Sequence, residues 1–105
     1  MSYRLYVARL KPQVLENRKY REANPHYIPG KPCVYVGATG RTRDERFEQH
    51  KTGYKANRFV KRFGTVLFEW AFSNTGEFER WADAVVAEEA LAARYRSMGW
   101  AVWQN

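Results

Sequence analysis

The sequence predicts an α+β domain. We expect a small antiparallel sheet of three strands, or four if the C-terminal tail adds one, flanked by helices in the order strand, insertion, strand, helix, helix, strand, helix. Three observations carry that reading. Tyr3 to Leu10 and Thr65 to Phe72 alternate in the way strands do, the second with Val66, Phe68, Trp70 and Phe72 on one face. Val34-Tyr35-Val36-Gly37 runs as a strand, breaks on glycines and restarts as a capped helix. The stretch after Gly76 then holds apolar residues at helical spacing until Gly99.

In chain order, Leu5 and Val7 share one face of the first strand, and Tyr6, Ala8 and Leu10 share the other, a pattern that suits burial on both sides. From Lys11 to Lys31 the alternation lapses. Pro12 opens a short helix through Val14, Leu15 and Arg18, Asn24-Pro25 stops it, and Ile28-Pro29-Gly30 turns. This stretch reads as an insertion between two hairpin strands. At about 20 residues it exceeds the usual hairpin loop, and ordered connections of that length are commonly functional. Cys33 to Val36 forms the second strand.

Thr42-Arg43-Asp44-Glu45 fits a capping box, so a helix starts at Thr42 and runs to about Lys51, before a turn at Thr52-Gly53-Tyr54. Ala56 to Phe63 makes a second, short helix with Phe59, Val60 and Phe63 inward and Gly64 as its stop. The third strand, Thr65 to Phe72, leads through Ser73-Asn74-Thr75-Gly76 into a long helix from about Glu77 to Met98. Trp100 to Trp103 packs back or adds a short edge strand.

A chain of 105 residues is one domain, and 45% hydrophobic with 16% aromatic residues is globular. No apolar run approaches the roughly 20 residues of a membrane span. The first residues lack the apolar stretch and cleavage site of a secretory signal, so a cytoplasmic location without a membrane partner is expected. Cys33 is the only cysteine, and His26 and His50 are the only histidines, which excludes an intrachain disulfide and a Cys/His zinc cluster. Eighteen Lys and Arg against eleven Asp and Glu give a net charge of +7, which favours a polyanion such as nucleic acid or else simply serves solubility. The charge gathers between Lys11 and Lys31 and between Arg41 and Arg62. Tyr20, Tyr27, Tyr54, Phe59 and Phe63 are interleaved with it, a mixture suited to phosphate contacts and base packing.

Arg46 and His50 lie one helical turn apart and point the same way, beside the strand that delivers Tyr35. In the last helix Phe78, Trp81, Ala84, Val85, Leu91, Ala92 and Tyr95 share a broad apolar arc with Glu88 at its middle, while Glu89 falls nearer the edge. A carboxylate facing a core needs a cation, and both a metal ion and a neighbouring arginine meet that need. Taken singly, Tyr6 and Tyr35 read equally as strand aromatics, and Arg46 and His50 as a solvated helix face.

The combination resembles the GIY-YIG nuclease family. Tyr35-Val36-Gly37, Arg46 and His50 stand as its second motif, Arg4-Leu5-Tyr6 as the strand of its first, and Ala84-Val85-Val86-Ala87-Glu88 as its metal-binding helix. Arg4 stands where the family has a glycine, and the connection from Tyr6 to Tyr35 is longer than the family's short turn. The resemblance implies an endonuclease that hydrolyses phosphodiester bonds in DNA with one Mg²⁺ or Mn²⁺. In that scheme Glu88 holds the metal, Arg46 grips a phosphate oxygen, and Tyr6, Tyr35 and His50 position water and take its proton. Asn105 is a further candidate, because the family often has an asparagine after its last helix. Arg41, Arg43, Lys55, Arg58, Lys61 and Arg62 are candidate contacts to the nucleic-acid backbone. A binding module that keeps the fold without cleaving, and a protein-interaction domain that uses Trp100 and Trp103, are the alternatives.

Overall fold

The computed structural model of the protein describes residues 2–104. Asn105 lies outside that range. The architecture is α+β, with a mixed five-stranded sheet and four α-helices among the described residues.

Strand β1 (Tyr3–Leu10) is central. Strand β2 (Cys33–Thr39) pairs antiparallel along its whole length, from Arg4 opposite Thr39 to Leu10 opposite Cys33. The other edge of β1 is shared. Strand β3 (Gly64–Leu67) takes the Ala8–Leu10 end, and the two-residue β4 (Glu77–Phe78) takes Tyr3 and Arg4. Strand β5 (Ala101–Gln104) lies on the outer edge of β2 and runs parallel to it. The purely antiparallel sheet expected from the sequence is therefore corrected to a mixed one. The preceding helix, α4 (Trp81–Ser97), is about 25 Å long, and it carries the chain back along the sheet as a parallel neighbour requires.

Division of that edge also explains two further departures. The third strand stops at Leu67 instead of continuing to Phe72, and Glu69–Ala71 is a 3₁₀ turn. The Phe68 N–H makes a last bond to the Val7 carbonyl at 2.8 Å. Val66 and Trp70, expected to be buried, are 56% and 65% exposed. Phe68 stacks on Trp100, and Trp70 leans on the same indole, so the alternation in sequence marks an aromatic patch and not a longer strand. The last helix starts at Trp81 instead of Glu77 because Glu77 and Phe78 pair with Arg4 and Tyr3. Glu77 also forms an ion pair with Arg4 at 3.3 Å. Arg4 donates as well to the Arg41 carbonyl and so ties β1 to the turn that follows β2.

Both faces of the β1–β2 pair are covered. Tyr6, Ala8, Leu10, Cys33 and Tyr35 pack with Phe47 of α2 (Arg43–Thr52), with Phe59 and Val60 of α3 (Arg58–Phe63), and with the insertion. Val7, Val34, Val36 and Val102 pack against Ala92 and Tyr95 of α4, with Phe72 and Trp100 closing the edge. The insertion is built structure, a 3₁₀ turn (Pro12–Glu16) followed by α1 (Arg18–Glu22). Asn17 caps α1 through the Tyr20 N–H. Val14 and Tyr20 are fully buried, and the Tyr20 hydroxyl lies 3.0 and 2.8 Å from the Val34 and Ala101 carbonyls.

Asn24 covers the outer edge of β5. Its side-chain amide donates to the Val102 carbonyl at 3.0 Å, and its oxygen accepts from the Val102 N–H at 2.7 Å, the pair of bonds a neighbouring strand would make. Asn24→Ala leaves the Val102 N–H unpaired in a buried setting, while the Val102 carbonyl keeps the Arg96 guanidinium at 2.9 Å, and we expect a loss of about 1–3 kcal/mol in urea unfolding.

Candidate active site

The cross-strand register sets the first part of the site. Tyr6 stands opposite Gly37 and Ala8 opposite Tyr35, so the two phenols lie diagonally on one face of the sheet with ring centroids 6.0 Å apart. Gly37 is there for space. A Cβ at that position would come within 2.5 Å of the Tyr6 hydroxyl oxygen, so only glycine lets the phenol lie across the neighbouring strand. Gly37→Ala must push Tyr6 off its partners, and we expect a stability loss of about 1–3 kcal/mol together with loss of any activity that depends on Tyr6. Urea unfolding and a cleavage assay check the two effects.

Helix α2 supplies the second part. The Thr42 hydroxyl oxygen accepts from the Glu45 N–H at 3.1 Å and donates to the Glu45 carboxylate at 2.9 Å, which fixes where the helix begins. Gly53, with a φ of 96°, ends it. The Arg46 and His50 side chains then reach the phenols from one direction. The His50 ring lies 5.8 Å from the Tyr6 ring and 5.6 Å from that of Tyr35.

His50 is wholly buried, and both ring nitrogens are in use. Nδ1 accepts from the Asn57 backbone N–H at 2.9 Å, and Nε2 lies 2.7 Å from the Tyr6 hydroxyl. A backbone N–H can only donate, so Nδ1 carries a lone pair and the proton of the neutral ring sits on Nε2. Nε2–H therefore donates to the Tyr6 oxygen. Burial, with the Arg46 cation second, pushes the His50 pKa down to about 4, so the ring is neutral at pH 7. In this arrangement the imidazole holds a phenol in place and has no free lone pair to receive a proton.

Both phenols are themselves hard to ionise. Burial pushes Tyr6 up to about 12 against the pull of Arg46, and Glu88 adds to the rise. Tyr35 is raised further, chiefly by burial, then by Tyr6 and Glu88, with Arg46 again opposing. Arg46 therefore acts electrostatically on Tyr6, Tyr35 and His50. Its guanidinium donates to Gln49 Oε1 at 3.2 Å and to the Tyr54 and Lys55 carbonyls at 3.4 and 2.9 Å. These bonds fix the turn after α2, where Lys55 takes a left-handed conformation (φ 44°).

Glu88 lies in the buried stripe of α4 with Ala84, Ala92 and Tyr95, while Glu89 is exposed. The structure thus gathers Tyr6, Tyr35, Arg46, His50 and Glu88 into one electrostatically coupled group. Tyr6, Tyr35, His50 and Glu88 are only 1, 2, 0 and 3% exposed. Among the described residues no three His, Cys, Asp or Glu side chains gather as a metal cluster. A single carboxylate beside phenol oxygens offers hard oxygen donors, which fits an ion that keeps most of its own water, as Mg²⁺ does, and does not fit zinc.

Arg46, alone of this group, lines a cleft of about 790 Å³, which it shares with Arg41, Tyr54, Lys55 and Trp81 among others. Arg43 does not face it. Its Nε donates to the Leu5 carbonyl at 2.7 Å and its guanidinium lies 4.7 Å above the Phe72 ring, so it braces β1. Arg58, Lys61 and Arg62 are exposed on α3, with Arg58 and Arg62 over the rings of Phe59 and Phe63, and Arg62 borders a separate depression that also contains Lys11. Sequence reasoning missed two contributors. Asn57 acts through its backbone N–H, which every residue but proline possesses, and Trp81, on the apolar arc in sequence, is 47% exposed and lines the cleft. Compared with family models, with curated proteins and with solved structures, the chain matches none.

Proposed function

We propose that this chain is a metal-dependent endonuclease that hydrolyses phosphodiester bonds in DNA, built on the plan of the GIY-YIG nucleases. The observation that carries the proposal is the convergence of two phenols, an imidazole locked in one tautomer, a buried carboxylate and a permanent cation, Arg46, which also lines a cleft with Arg41 and Lys55.

Glu88 is the residue that would hold Mg²⁺ or Mn²⁺, which when bound supplies charge stabilisation at the phosphate and leaving oxygen. Arg46 keeps its bonds to the loop carbonyls, offers its remaining N–H donors to a non-bridging phosphate oxygen and answers the negative charge that grows there. His50 holds the Tyr6 oxygen through Nε2–H, and the locked tautomer keeps His50 out of the role of base. A phenol then receives the proton of water, and it can do so only as phenolate. Because burial raises Tyr6 to about 12, the phenolate fraction climbs with pH throughout the neutral range. The single-turnover rate should rise with pH across the neutral range, and a rate that stays flat from pH 7 to 9 would point to another base.

The near-complete burial of the four inner side chains favours a second reading, a nucleic-acid-binding module whose inner cluster is structural. Incubation with supercoiled, branched and single-stranded DNA, with Mg²⁺, with Mn²⁺ and with chelator, separates the two. Metal-dependent product supports the hydrolase, and retention of all three DNAs without product supports the binder.

A further inference from the structure

Trp81 and Tyr54 face the cleft from different elements, and each is held from behind. Trp81 is the first residue of α4, and its indole packs edge-on against Tyr3 at 5.3 Å, so it stays 47% exposed without being loose. Tyr54 is 54% exposed in the turn that Arg46 fixes by its carbonyls, with its N–H bound to the Gln49 carbonyl at 2.9 Å. Lys55 Nζ sits 5.7 Å from the Tyr54 ring, and Arg41 also lines the cleft. At about 790 Å³ the cleft lies within the ~300–1,000 Å³ of small-ligand sites. Exposed aromatic faces among fixed cations suit a ligand that is flat at one end and anionic at the other, which describes a nucleotide with its base out of the helical stack.

We infer that Trp81 and Tyr54 form a nucleobase subsite, which selects nucleic acid with an unpaired base beside the phosphate that Arg46 grips. The inference rests on the nucleic-acid reading above, although it needs no cleavage. Inside a duplex a base is stacked on both faces and cannot present one to an indole, so discrimination between single and double strands follows from the geometry.

The test is fluorescence anisotropy of a labelled oligothymidine, a blunt duplex and an abasic strand of equal length, all in chelator. Trp81→Ala should weaken oligothymidine binding about tenfold or more and leave the duplex unchanged within about twofold. Tyr54→Ala should act in the same direction. The parent should bind the abasic strand as weakly as Trp81→Ala binds oligothymidine. Circular dichroism and the melting temperature of each variant report whether its fold is kept; should Trp81→Ala unfold, Tyr54→Ala and the abasic strand carry the test. Equal oligothymidine affinities for the parent and a folded variant, or an equal loss on the duplex, overturn the subsite. A parent that binds through Trp81 but cleaves nothing keeps the subsite and sinks the hydrolase reading. A parent that cleaves while Trp81→Ala binds normally does the reverse.

Discussion

Glu88→Gln should lower metal-dependent cleavage by on the order of 10³-fold, the effect of losing several kcal/mol of charge stabilisation at the reacting phosphate. The substitution keeps the size of a side chain that is 3% exposed, so the fold should survive, and DNA affinity should stay within about twofold. Glu89→Gln, at the exposed neighbouring position, should change little. Calorimetry with Mn²⁺ reads the ligand directly. Binding of the ion to Glu88→Gln as tightly as to the parent would show that the carboxylate serves the fold alone.

The second large effect belongs to Arg46. Lysine keeps the charge at that position but cannot present parallel N–H donors to one phosphate. It also cannot reproduce the contacts to Gln49 and to the Tyr54 and Lys55 carbonyls together. Arg46→Lys should therefore lose about 10²-fold or more at saturating DNA, the scale of removing one donor to a developing oxyanion, while affinity changes far less. A single-turnover rate equal to the parent's would reduce Arg46 to a brace for the turn.

Much of the inner cluster was legible in the sequence because its members sit on regular elements. Tyr6 and Tyr35 follow from strand alternation, Arg46 and His50 from the helix that Thr42 caps, and Glu88 from a carboxylate in an apolar stripe. The sheet edge was less legible. Val66, Phe68, Trp70 and Phe72 alternate like a strand, yet β4 occupies the bonds that a longer β3 would need. A two-residue strand leaves no periodicity to read. Trp81 looked like core because an indole at helical spacing carries no mark of its exposure. The link from Asn57 to His50 was hidden for a different reason: its donor is a main-chain N–H. That single bond decides the imidazole tautomer.

The most direct measurement is nicking of supercoiled DNA by the parent protein and by Arg46→Ala, purified side by side so that any contaminating nuclease is common to both. The parent is expected to convert supercoiled to nicked and linear DNA with Mg²⁺ or Mn²⁺, chelator to stop it, and Arg46→Ala to leave the plasmid supercoiled under the same conditions. Equal nicking by the two preparations, or a parent that shifts the plasmid on a gel without ever nicking it in either metal, would contradict the account.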